Sequence, residues 1–71
     1  MNVGDLERVF ESGDEVDGEA LKEKGLVRGY GVRVKVLGDG EITKPLAVRA
    51  HKFSDGAASK IKAAGGSAEV I

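Results

Sequence analysis

The sequence predicts a small α/β protein: one globular domain over residues 1–71, with three helices and a short mixed sheet. Three observations lead there. Apolar residues toward both ends recur at the three- and four-residue spacing of a helix face. Those in the middle alternate one by one, as in a half-buried strand. Glycines or a proline stand where the period changes. A chain of 71 residues supports one thin core, since a domain of this size buries only about 60% of its unfolded surface.

In "GDLERVF" the spacing of Leu6, Val9 and Phe10 predicts a short helix, with Asp5 placed to cap it. "ESGDEV" interrupts it with glycine and like charge. "DGEALKEKG" predicts a second helix, with Asp17 as N-cap, Glu19 in the first turn, Lys22 and Lys24 near the end and Gly25 just beyond. Val16 and Leu21 take the two positions of a hydrophobic staple.

In "GVRVKVL", Val32, Val34 and Val36 alternate with Arg33 and Lys35, which predicts a strand. Gly38-Asp39-Gly40 reads as a turn, because Asp-Gly accepts tight-turn geometry and strand character lies on both sides. A short extended "EIT" follows. Pro45 lacks a backbone N–H and marks a strand start or an edge. "LAVRA" repeats the alternation, with Leu46, Val48 and Ala50 on one face and Ala47, Arg49 and His51 on the other.

"SDGAASKIKAAGG" returns to helix: Ser54 is the N-cap, Asp55 opens it, and Ala57, Ile61 and Ala64 form its apolar stripe. Gly65 and Gly66 stop it, and "SAEVI" supplies a last strand.

Composition excludes several classes. The chain has no cysteine, so disulfides, thiolate zinc sites and thiol catalysis are out. No apolar run is long enough to span a membrane and the N-terminus shows no signal-peptide pattern, so the expected setting is soluble and intracellular. Gly38-Asp39-Gly40 lacks the lysine and hydroxyl of a phosphate loop and the third glycine of a dinucleotide fingerprint. The acids Asp14, Glu15, Asp17 and Glu19 miss the ligand spacing of a calcium loop and read as solvated helix-start charge. His51 stands alone, without the partners of a metal site or catalytic dyad; it reads as a partly exposed strand-end residue or a polyanion contact. No catalytic residue, metal, cofactor or small-molecule substrate is expected.

Charge is distributed unevenly under a formal net charge of −1. Met1 to Lys24 holds eight acids and three bases, whereas Gly25 to Ile71 holds eight bases and four acids. Such asymmetry points to a polyanion partner on the basic side. If the two alternating segments share a sheet, Arg33, Lys35, Arg49 and His51 merge into one outward basic patch ending at Lys52. Phosphate contacts of that kind position a protein on nucleic acid without reading its sequence. Lys60 and Lys62 fall on the exposed side of the last helix.

From Lys35 to Gly65 the sequence resembles the bacterial-type large-subunit ribosomal protein fifteen (L-fifteen) family. "KVLGDGEI" supplies Lys35, Val36, Leu37, Gly38, Gly40 and Ile42; "LAV" supplies Leu46 and Val48; "FSDGAASKIKAAG" supplies Phe53, Ser54, Ala57, Ile61 and Gly65. "NVGDLERVF" and "LKEKGLV" extend the resemblance over nearly the whole chain. The related L-eighteen-e family shares the "AAGG" ending.

The resemblance implies an irregular superhelix of strand–strand–helix units and a structural role in the large ribosomal subunit of the cytoplasmic ribosome. It implies large-subunit ribosomal RNA as partner, with neighbouring ribosomal proteins alongside. Family members carry a basic, glycine-rich N-terminal extension; this sequence resembles the C-terminal globular domain alone. The expected RNA contacts are Arg33, Lys35, Lys44, Arg49, His51, Lys52 and Lys60, with Ser54 and the helix start it caps as a further phosphate site. The competing reading is an isolated, truncated or engineered domain, acting as a folding or protein-interaction module whose acidic N-terminal part meets a basic partner.

Overall fold

The computed structural model describes residues 1–29 and 33–71. Helix α1 (Val3–Val9) begins earlier than expected. Its N-cap is Asn2, and Asp5 sits three residues inside, where its carboxylate accepts the Asn2 N–H at 2.9 Å. The expected capping role of Asp5 is corrected to the inner half of a capping box. The reason is non-local: Val3 is fully buried, and its N–H donates to Leu37 O at 2.9 Å, which draws the chain into the fold before Asp5 is reached.

Strand β1 (Glu15–Val16) leads directly into helix α2 (Gly18–Glu23). Asp17 Oδ1 accepts the Ala20 N–H at 2.8 Å, as an N-cap should. At the other end the Gly25 N–H donates to Lys22 O and the Leu26 N–H to Leu21 O, the paired bonds of a Schellman stop. Both staple residues, Val16 and Leu21, are fully buried.

The remaining elements are β2 (Lys35–Val36), β3 (Ala47–Ala50), β4 (Lys52–Phe53), α3 (Asp55–Ala63) and β5 (Ser67–Val70). Val34 and Val36 are buried and alternate with exposed Arg33 and Lys35, so the alternation holds where it is described. Gly31 and Val32, placed in the same strand by their sequence, lie outside the described residues. Pro45 stands before the central strand β3 rather than inside it, which spares the ladder its missing donor. Helix α3 is capped by Ser54 Oγ, which accepts the Ala57 N–H at 3.1 Å, and buries Ala57 and Ile61.

The α/β class and the three helices among the described residues stand as expected, and the strands divide more finely. Among the described residues they form two sheets, β1-β3-β5 and β2-β4, and every ladder is parallel. The strand bearing Lys35 and the strand bearing Arg49 therefore belong to different sheets, and the single merged basic face is corrected. Residues 37–46 carry the chain from one sheet to the other instead of folding it back as a hairpin. Parallel neighbours need such crossovers, and α3 supplies the one between β3 and β5. Side chains from α1, α2, both sheets and α3 meet in one apolar cluster; among the described residues, no polar side chain is buried.

Candidate nucleic-acid interface

The β2-β4 ladder sets two lysines side by side. Its register pairs Lys35 with Lys52 and Val36 with Phe53. Val36 points into the core, so Lys35 and Lys52 both face solvent. Arg33, two residues upstream and also exposed, falls on the same side of the strand by alternation. Like charges directly opposite one another destabilise a sheet unless an anion sits between them. Among the described residues, none of these three cations is paired with an acid.

His51 pins the start of this ladder. Its N–H donates to Val34 O at 2.9 Å, and its ring Nδ1 accepts the Val34 N–H at 2.8 Å. With Nδ1 as an acceptor, the neutral ring carries its proton on Nε2. At the other end of the ladder the Ser54 N–H donates to Val36 O at 2.9 Å, which seats the start of α3 immediately after the lysine pair. Arg33, Lys35, His51, Lys52 and Ser54 are thus brought together.

The other three expected contacts are engaged elsewhere. Lys44 is half-buried, and its ammonium donates to Glu7 O at 2.7 Å and Phe10 O at 2.9 Å, closing the C-terminal end of α1. Arg49, on the central strand of the other sheet, lies between Glu15 at 3.8 Å and Glu69 at 3.6 Å. Lys60 donates to Gly38 O at 2.6 Å and Gly40 O at 2.8 Å. Glu7 receives the Thr43 N–H, the Thr43 hydroxyl and the Lys44 N–H, and these donors, the Thr43 N–H foremost, hold its carboxyl below the ordinary glutamate value.

The Gly38-Asp39-Gly40 segment bends as expected, with Gly40 at φ +94°, but its glycines answer to close packing as much as to the bend. A Cβ on Gly40 would lie 2.8 Å from the Cα of Gly4 in α1, and one on Gly38 would lie 3.1 Å from the backbone of Gly56 and Ala57 in α3. Every carbonyl from 37 to 40 is taken: Leu37 O by the Val3 N–H, Asp39 O by the Gly4 N–H, and the two glycine carbonyls by Lys60. Asn2 Oδ1 accepts the Asp39 N–H at 3.2 Å. The parts of this junction played by Asn2, Gly4 and Lys60 escaped the sequence reading, because each partner lies at least twenty residues away along the chain.

Among the described residues, no group of three or more metal-ligating side chains comes together. No helix is long and apolar enough to cross a membrane.

A family profile covering the ribosomal proteins 50S-L15 and 50S-L18e and their 60S counterpart matches residues 1–69. Similar curated proteins include three named "Large ribosomal subunit protein uL15". The one from Thermosipho africanus is 61% identical over all 71 residues, which make up 48% of that protein. Those from Syntrophotalea carbinolica and Geobacter sulfurreducens are 54% and 56% identical over the same 71 residues, 48% and 47% of their lengths. The chain spans about half the length of the curated relatives it matches.

Proposed function

We propose a function from one premise: this chain belongs to the family of ribosomal proteins that includes 50S-L15 and the proteins named uL15. It corresponds to the C-terminal globular domain of such proteins and serves as a structural, non-catalytic constituent of the large ribosomal subunit in the cytoplasm. There it docks on phosphates of the large-subunit ribosomal RNA, with other ribosomal proteins as neighbours.

The observation that supports this most directly is the in-register pair Lys35 and Lys52, exposed, flanked by Arg33 and without an acid partner among the described residues. Two lysines set opposite one another in a parallel register repel, and a phosphate bound by both turns that repulsion into attraction. The start of α3 at Ser54 adds backbone N–H groups and the positive end of a helix dipole to the same place. His51 shapes the ladder from its upstream end, leaving Nε2 as a donor. Lys44, Arg49 and Lys60 serve the fold, since the partners of each lie within the chain.

The test is filter binding of the chain to a large-subunit RNA fragment across a salt series. Lys35→Ala and Lys52→Ala each weaken binding and flatten the log–log salt slope by about 0.7–0.9, the loss of one phosphate contact. Arg49→Ala leaves the slope unchanged. If neither lysine variant alters affinity or slope, the ladder is not the RNA face. Absence of binding at low salt by a folded monomer favours the protein-interaction reading instead.

A further inference from the structure

Beyond the ladder the two lysine-bearing segments stay in contact, with the Ser54 N–H donating to Val36 O and the 38–40 bend packed on α3. Lys35 is followed by Val36, Leu37 and the 38–40 bend. Lys52 is followed by Phe53, Ser54 and helix α3. The ladder itself has two residues on each strand and sets two like charges opposite one another, so a further tie between the segments supports it. Lys60 lies on α3, and its ammonium reaches back to Gly38 O at 2.6 Å and Gly40 O at 2.8 Å. One side chain thus ties the segment that continues from Lys52 to the segment that continues from Lys35.

Its place is well defined. The bend packs on α3 so closely that a Cβ at position 38 would crowd the helix backbone, and the carbonyls Lys60 takes alternate with those taken by α1. Without that cation the two glycine carbonyls, in exposed hydrogen bonds, would turn to water and no longer tie the bend to α3.

We propose that Lys60 is a positioning residue for RNA binding: it fixes the spacing of Lys35 and Lys52 through the 38–40 bend and does not itself contact a phosphate. This inference rests on the reading of the β2-β4 ladder as the RNA face, and the two fail in different ways.

Lys60→Met keeps the aliphatic stem and removes the donors. In filter binding to the large-subunit RNA fragment, at a temperature where circular dichroism shows the variant fully folded, it weakens binding several-fold with the salt slope unchanged. Combined with Lys35→Ala it adds less than twofold, because it acts through the residue already removed. A slope flattened by about 0.7–0.9 makes Lys60 a direct phosphate ligand and overturns the proposal. So does unchanged affinity, or a double variant whose losses multiply in full.

Amide hydrogen exchange supplies an arm free of RNA: Lys60→Met speeds exchange of the Gly4 and Asp39 amides, which bond to the bend and from it. Unchanged exchange there overturns the clamp whatever the RNA result. Faster exchange combined with RNA-silent Lys35→Ala and Lys52→Ala variants supports the clamp alone, removes the RNA face, and with it the positioning role.

Discussion

Replacing Lys44 by methionine separates two roles that a lysine in a ribosomal protein can have. The ammonium of Lys44 donates to the carbonyls of Glu7 and Phe10, at 2.7 and 2.9 Å, where α1 has run out of its own N–H partners. Methionine preserves the aliphatic stem, so the change isolates the charge and its two hydrogen bonds. A hydrogen bond from a charged donor contributes about 1.5–3 kcal/mol net, and a cation at a helix C-terminus about 0.3–1 kcal/mol. Lys44 is only half-buried, and water partly replaces what is lost, so the two bonds together fall below that range, at about 1–2 kcal/mol for the pair.

A protein of this length has roughly 4–11 kcal/mol in all, at about 0.05–0.15 kcal/mol per residue. For so small a domain each kcal/mol moves the midpoint by about 4–8 °C. The expected fall in Tm is therefore about 5–15 °C, read by circular dichroism, with a lower urea midpoint at an unchanged m-value. A variant within about 0.5 kcal/mol of the parent refutes the helix-closing role, since that is the scatter of an ordinary surface change. A salt slope for RNA binding flattened by about 0.7–0.9 would refute the claim that Lys44 is turned inward.

Gly40→Ala adds a Cβ 2.8 Å from the Gly4 Cα at a position with φ +94°. The left-handed backbone costs about 1–2 kcal/mol and the overpacking about 1–3. Thermal or urea unfolding should lose about 2–5 kcal/mol, and a loss under about 1 would mean that the bend and α1 separate easily. Glu7, held below the ordinary value of 4.5 by its Thr43 and Lys44 donors, stabilises the fold above that value and loses its contribution as pH falls through the lower folded value. Urea midpoints measured downward from pH 4.5 should therefore drop more steeply in the parent than in Glu7→Gln; parallel curves would show that these hydrogen bonds carry no proton linkage.

Where neighbours in sequence are neighbours in space, the residues announced the structure. Asp17, Ser54 and the glycines after α2 and α3 act within one turn of where they stand, so their caps and stops could be read directly. The alternation at Val34–Val36 and Leu46–Ala50 named the buried side of each strand for the same reason: a two-residue period is a property of the strand alone. The recurrence of small and apolar residues from Lys35 to Gly65 carried the family.

Strand pairing and the use of charge came from the folded chain. Alternation says which side of a strand is wet and nothing about the strand beside it, so Lys35 met Lys52 rather than Arg49. A lysine's charge is legible in the sequence, but its counterpart is not. Lys44, Arg49 and Lys60 look like Lys35 until carbonyls and carboxylates 20 to 37 residues away come within hydrogen-bonding or ion-pair range. Residue order alone was enough for the elements, their buried faces and the family, because each of these is set by local periodicity and spacing. Which cations remain for a partner depends on contacts between distant segments, and folding settles it by committing some of them to the chain's own carbonyls and carboxylates.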